Sequence, residues 1–262
     1  MYETLQVEKA PVTVVTLDRP PVNAVTRQMQ RELTEVFESL GDDDGTRAIV
    51  LRGAGERAFC AGIDLNEVAT ERSDPAFELP LGERVNPGLQ WRRTQHAIRH
   101  APVPVIAAVE APAIGAGFGL VGVCDIIIAS SNARFGLTEI DVGLLGGASK
   151  ALRMVGPFKT RMMMFSGELQ SAEELHRLGA VERVVTPGTA FDEAVRLAEH
   201  FASKSPLAMR LAKESIVRIE TDAMEDAYRM EWDYTNRLAG FEDSAEAMSA
   251  YLEKRKPEWK RR

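Results

Sequence analysis

The chain of 262 residues has little cysteine, little histidine and no excess of positive charge: two Cys, four His, and 32 Lys and Arg against 39 Asp and Glu. Each scarcity excludes something. Cys60 and Cys124 both lie in apolar segments without a partner at metal-type spacing. They therefore read as buried thiols in a reducing compartment, not as a disulfide framework or a zinc module. A net charge of −7 and a pI near 5.3 argue against nucleic acid or an anionic membrane as the main partner. They leave room for a local basic pocket that meets a phosphorylated ligand. No apolar run is long enough to span a bilayer. The longest candidate, Val103 to Ala129, is interrupted by Pro104, Glu110, Pro112, several glycines and Asp125. Met1-Tyr2-Glu3-Thr4 offers neither a basic n-region nor an apolar h-region, which predicts no secretory signal and a cytoplasmic location. His96, His100, His176 and His200 fall on predicted helices, none in the context of a serine or cysteine triad, and read as structural.

What remains is an ordinary globular composition, 45% hydrophobic and 27% charged, at a length that suits one large domain or a domain with an appendage. Val12 to Leu17 is a β-branched run, with Leu5 to Val7 as its hairpin partner. Arg19-Pro20-Pro21 ends the strand. Thr26 caps a predicted helix from Arg27 to about Leu40, with Met29, Leu33, Val36, Phe37 and Leu40 on one face. Ala48 to Gly53 is a short apolar strand, so the order predicts parallel pairing with a right-handed crossover. Residues 66–88 carry mixed charge, two prolines and no periodicity, and read as a mobile loop near a site. A helix over Trp91 to Arg99, a buried strand over Val105 to Val109, a helix from Ile114 to about Val121 and a strand over Asp125 to Ala129 follow. This alternation predicts an α/β core over residues 1–190 with repeated β–β–α units. After Pro187 the pattern becomes helical: Ala190 to Ala202, Ser205 to Ile219, Asp222 to Leu238 and Ser244 to Glu253. Residues 191–262 read as a helical C-terminal appendage.

Two small-residue stretches stand out. Ala58-Phe59-Cys60-Ala61-Gly62-Ile63-Asp64-Leu65 and Gly115-Ala116-Gly117-Phe118-Gly119 end hydrophobic runs about fifty residues apart. Each can present a backbone N–H that no side chain screens, and a pair of such groups is what holds a developing oxyanion. Phe135-Gly136-Leu137-Thr138-Glu139-Ile140 then places a carboxylate just downstream. Asp64 and Glu67 have the spacing of a capping box, which favours a structural role for Asp64.

These segments, in this order with Arg19-Pro20, Asn23-Ala24, Cys124-Asp125 and the closing Tyr251-Leu252-Glu253-Lys254-Arg255-Lys256-Pro257, resemble the enoyl-CoA hydratase/isomerase (crotonase) superfamily over nearly the whole chain. The resemblance implies a β-β-α superhelix core, a helical trimerisation region, a homotrimer or homohexamer, acyl-CoA thioester substrates, and no cofactor beyond the coenzyme A of the substrate. It implies that the N–H groups of Ala61 and Ala116 form the oxyanion hole and that Glu139 is the catalytic acid/base. Val22, Ala24, Gly62, Ile63, Asp64 and Gly119 would line the substrate site, with Pro21 beside them and Lys254 or Lys256 meeting CoA phosphates.

One departure matters. Gly119 stands where two-glutamate hydratases carry their other glutamate. A glycine neither activates water nor delivers a proton, so chemistries that need one carboxylate are favoured: double-bond isomerisation, decarboxylation, or hydration coupled to retro-aldol cleavage. Gly117-Phe118 and the Glu139 segment also resemble the hydroxycinnamoyl-CoA hydratase-lyase branch, which leaves a one-carboxylate acyl-CoA lyase as an alternative. A non-catalytic acyl-CoA binder is a second. Asp141, Tyr228 and Tyr234 are secondary candidates, more readily explained by exposure or helix packing.

Overall fold

The computed structural model describes residues 2–41, 43–74, 76–220, 229, 232, 235, 236 and 239–258. The β-branched run forms β2 (Val12–Leu17), which pairs antiparallel with β1 (Leu5–Glu8) and parallel with β3 (Ala48–Gly53). Between them runs α1 (Arg27–Gly41). Thr26 Oγ1 accepts the Met29 N–H at 3.2 Å, satisfying one of the donors a helix start leaves open. The apolar stripe of α1 is buried against the sheet. β4 (Val105–Val109), β6 (Ile126–Ser130) and β9 (Arg183–Val185) extend the sheet in the order β1-β2-β3-β4-β6-β9, parallel from β2 onward.

A second row of short extended segments lies beside this sheet. Val25 bridges Ile63, Cys60 bridges Ala113, and β5 (Ala113–Ile114) pairs with β7 (Arg134–Gly136), which pairs with β8 (Gln170–Ser171). This row draws together three stretches that are far apart in sequence: 23–25 with 60–64, 113–119 and 134–139. It also shortens the helix expected from Ile114. Ala113 and Ile114 are spent on pairing, so α5 starts at Ala116 and ends at Val121.

The stretch 66–88, read as a loop, holds two helices, α2 (Leu65–Ser73) and α3 (Leu81–Val85). α2 buries no residue fully: its short apolar face, Leu65, Val68 and Ala69, is only half-buried against Val142, Leu144 and Met248, which leaves a weak periodic signal. α4 (Leu89–Arg99) follows and packs on α1. The 3-10 turn Glu139–Val142 leads into α6 (Ala148–Ser166), which kinks where Gly156 adopts φ 73° before Pro157. α7 (Ala172–Arg177) precedes β9.

α8 (Ala190–Ala202) lays Ala190, Ala194 and Ala198 on the second face of the sheet against Val50, Ile106 and Ile128. The packed core therefore reaches past residue 190. α9 (Pro206–Ile219) and α10 (Glu242–Leu252) complete the chain. α10 returns to the 3-10 turn: the Ser244 hydroxyl donates to the Gly143 carbonyl at 2.7 Å, and Met248 packs with Val142 and Leu144. The helix expected over Asp222 to Leu238 lies largely outside the described residues, as do Tyr228, Tyr234 and Trp259-Lys260. No helix among the described residues is long and apolar enough to cross a membrane.

Candidate active site

A cavity of about 840 Å³ opens where the second row of strands meets α4 and the C-terminal segment. Its floor is backbone. Ala61 to Ile63 come from one side, Gly115 and Ala116 from another, and Glu139 with Gly146 and Gly147 from a third. Its walls include Trp91, Gln95, Trp232 and Tyr251.

The turn that carries the first segment is held from below by Asn23. This residue is buried with φ 52°, a conformation asparagine tolerates better than most side chains. Its side-chain amide donates to the carbonyls of Ala54 at 2.9 Å and Ala58 at 3.1 Å, while its oxygen accepts the Arg19 N–H at 3.0 Å. The Arg-Pro…Asn-Ala signature thus works as a clamp on the loop after β3.

The donor assignment in this segment needs correcting. Ala61 does not offer its N–H to the cavity, because that group donates to the Val22 carbonyl at 3.0 Å. Two residues later the geometry reverses. Val25 gives its N–H to the Gly62 carbonyl at 2.8 Å and receives the Asp64 N–H at 2.9 Å. In a parallel bridge of this kind the intervening residue, Ile63, directs its own N–H to the opposite side. Ile63 lines the cavity, and no acceptor among the described residues takes its N–H. Gly62 makes the reversal with φ 108°, a region closed to ordinary side chains.

Ala116 is the second small residue at the cavity floor. It follows Gly115 (φ 55°) at the start of α5, lines the cavity, and its N–H likewise meets no acceptor among the described residues. The strand pair that delivers it is closed by the Gly115 N–H donating to the Gly136 carbonyl at 2.9 Å. Gly117 is required by packing. A Cβ there would lie 2.2 Å from the Cys60 carbonyl oxygen, so only a glycine lets the two segments touch. Burial pushes the Cys60 thiol up to about 12, which leaves it inert between them.

Glu139 enters from the 3-10 turn. Its Oε2 is buried, and its Oε1 lies 3.5 Å from where a Cβ on Gly115 or on Gly146 would stand. The carboxylate therefore sits between two glycine backbones, beside the N-terminal turn of α5. Asp141, two residues on, is exposed on the cavity's rim.

Other expected site residues play supporting parts. Asp64 is the N-cap of α2: Oδ1 accepts the N–H of Asn66 at 2.9 Å and of Glu67 at 3.2 Å, and Oδ2 takes Arg19 at 2.5 Å. Its carboxylate is used up in the fold and it is not among the cavity's lining residues. The reciprocal half of the capping box is absent, because Glu67 instead accepts the Arg27 N–H at 3.0 Å and so ties α2 to α1. Val22 and Ala24 also stay behind the cavity wall: Val22 holds Ala61, and Ala24 accepts Arg19 at 3.3 Å. Lys254 and Lys256 are exposed. Gly119 lines the cavity, yet its neighbourhood is occupied: a Cβ there would be 3.3 Å from Gln95 Nε2 and 3.4 Å from Trp91 Cζ2. Nothing in the local pattern of α4 ties Gln95 to Gly119, so this neighbour was not legible along the chain.

Comparison with known proteins agrees with this architecture. The family model for enoyl-CoA hydratase/isomerase matches residues 7–262. The chain is 34% identical to 2,3-dehydroadipyl-CoA hydratase of Escherichia coli, over 100% of both chains. It is 33% identical to short-chain-enoyl-CoA hydratase of Clostridium acetobutylicum, over 94% of this chain and 93% of that one. Among solved structures, carnitinyl-CoA hydratase from Mycobacterium avium superposes with a TM-score of 0.85 at 29% identity, covering 100% of both chains.

Proposed function

The chain belongs to the enoyl-CoA hydratase/isomerase family, whose members act on acyl-CoA thioesters, and from that premise we propose that it works through a thioester enolate with Glu139 as its single acid/base. The N–H groups of Ile63 and Ala116 receive the thioester oxygen. Glu139 takes a proton from the acyl chain, the electron pair moves onto that oxygen, and the proton returns at another carbon to shift the double bond. On a 2-enoyl ester Glu139 instead takes a proton from water as its oxygen adds to the third carbon, the double-bond pair moves onto the thioester oxygen, and the proton returns to the second carbon, which completes hydration. The observation that carries the reading is the convergence of these two N–H donors and one carboxylate on one cavity floor. Losing one oxyanion donor typically costs about 3 kcal/mol of transition-state stabilisation.

These steps draw on the chain, its CoA ester and, for hydration, water. We further propose a homotrimer or homohexamer, because Phe158 and Phe165 of α6 and Leu207 and Leu211 of α9 are exposed apolar side chains in need of cover. Light scattering of a monomer at micromolar concentration would overturn that assembly.

The test of the chemistry is Glu139→Gln against a panel of 2-enoyl, 3-enoyl, hydroxycinnamoyl and branched malonyl-type CoA esters. The variant keeps shape and acyl-CoA affinity, and turnover falls by about 10²–10⁴-fold. Near-normal turnover would remove Glu139 from the mechanism. Absence of turnover by the wild type on every ester would favour a binder over an enzyme.

A further inference from the structure

Gly119 removes a carboxylate from the wall opposite Glu139, but the wall there is not bare. α4 fills it. Trp91 and Gln95 are four residues apart, hence on one face of the helix, and both line the cavity beside Gly119. Their direction is fixed from the other side of α4. The Thr94 hydroxyl shares a contact of 3.0 Å with the Thr34 hydroxyl and donates to the Gln30 carbonyl at 2.9 Å, and the Gln90 amide donates to Thr34 Oγ1 at 3.0 Å. This buried network pins α4 onto α1, so α4 cannot turn Gln95 away from the cavity.

Within this stretch Gln95 is the exception. Gln90, Arg92 and Thr94 all have partners. Gln95 is 7% exposed, no described side chain takes its amide, and that amide is open to the cavity, not sealed in the core. A ligand oxygen arriving through the cavity would find both a donor and an acceptor there.

α5 serves as a ruler for where such an oxygen would lie. Gly115 adjoins Glu139, Gly119 adjoins Gln95, and the Gly119 N–H donates to the Gly115 carbonyl at 2.9 Å, one turn of helix. Gly115 and Gly119 are four residues, or about 6 Å of helix rise, apart. With the thioester oxygen at Ala116, a distance of that order toward Gly119 reaches an oxygen on the third carbon of the chain.

We infer that Gln95 is a specificity residue of this site: its amide hydrogen-bonds an oxygen on the third carbon of the acyl group, as in a 3-hydroxyacyl-CoA. The inference rests on the acyl-CoA reading given above. An amide both donates and accepts, so it matches a hydroxyl in either sense, and it moves no proton, which leaves all proton transfer to Glu139. Trp91 alongside supplies the apolar wall that keeps water from competing for the amide.

The experiment uses the full-length protein with Glu139→Gln as parent, so that esters bind without turnover. Calorimetry measures the dissociation constants of 3-hydroxybutyryl-CoA and butyryl-CoA for the parent and for the parent carrying Gln95→Leu, a change of similar volume. The parent should prefer the hydroxylated ester by about tenfold, the worth of one well-placed hydrogen bond. Gln95→Leu should abolish that preference while leaving butyryl-CoA affinity unchanged. If Gln95→Leu fails to fold by circular dichroism, Gln95→Met takes its place. Equal affinity of the parent for both esters, or an equal loss of both in the variant, overturns the assignment. Failure of the parent to bind either ester overturns the acyl-CoA reading itself, and the Gln95 assignment with it.

Discussion

Residues 58–64 and 113–119, beneath the cavity, are tied to the fold through their backbones. Ala61 is held by Val22, Ile114 by Cys60, Gly115 by Gly136, and Gly117 lies against the Cys60 carbonyl with no room for a methyl group. Residues 65–88, above the cavity, are tied through side chains. Arg27 forks onto both oxygens of Glu71, Glu67 caps Arg27, and Arg92 ties down the Pro87 carbonyl at 2.8 Å, while Leu81 and Val85 face solvent at 68% and 75% exposure. The floor presents main-chain N–H groups in fixed directions, as oxyanion chemistry requires. The canopy presents side chains that can be exchanged without disturbing a strand. Such a division lets one scaffold keep its reaction while changing its acyl group.

The sharpest way to break the comparison is Gly117→Ala. Backbone cannot yield to a Cβ placed 2.2 Å from the Cys60 oxygen, so stability should fall by about 3 kcal/mol, the upper end for overpacking, and turnover should vanish. A thermal melt within a degree of wild type would show that the two segments are looser than described.

Gly62→Ala separates strain from crowding. Its Cβ would have ordinary space, 3.5 Å from the Ile114 oxygen, but φ is 108°. Residues held in such regions cost about 1–3 kcal/mol. Turnover should fall further than stability predicts, because relaxing this angle re-aims the Ile63 N–H. Urea denaturation beside kcat measures the split, and a variant with lower stability but intact kcat would clear Ile63 of the donor role.

The canopy should respond differently. Glu71 beside Arg27 raises the guanidinium above its usual range. Removing the pair should cost about 1 kcal/mol of coupling in a double-mutant cycle of Arg27→Ala and Glu71→Ala. The effect on catalysis should reside in KM, with kcat within a factor of two or so. A collapse of kcat instead would make the canopy part of the chemistry.

The smallest effect lies outside both regions and calibrates them. Burial pushes the Glu32 carboxyl up, but hydrogen bonds from Thr4, Glu3 and Gln28 outweigh it and hold it below its ordinary value. The unfolded chain then binds the proton more readily, so the stability this group supplies is present above an unfolded value of about 4.3 and lost as the pH falls below it. Between pH 5 and pH 3 the urea midpoint of wild type should fall more steeply than that of Glu32→Gln. Parallel slopes would refute the assignment.

Much of this molecule was legible along the chain. The β-branched run at Val12, the capped helix at Thr26 and the small-residue segments at Ala58 and Gly115 each express a local rule, and local rules act through neighbours in sequence. Glu139 and Ala116 were named through the resemblance carried by the order of motifs along the chain, and both line the cavity. What failed was non-local. Whether Ala61 or Ile63 offers its N–H depends on which carbonyl of residues 22–25 lies opposite, and a strand partner forty residues away leaves no mark on the segment itself. The helix α2 escaped because its apolar face is three residues long and only half-buried. Gly119 announced a missing carboxylate, but only the packing of α4 on α1, fixed by buried threonines, decided that Trp91 and Gln95 would stand in that place. Propensity and capping are energies of a few neighbouring residues, so the main strands and the capped helix α1 followed from the chain alone. Hydrogen-bond direction and cavity shape are set by contacts between distant segments, so tertiary structure alone decided which N–H is offered and what faces the acyl chain.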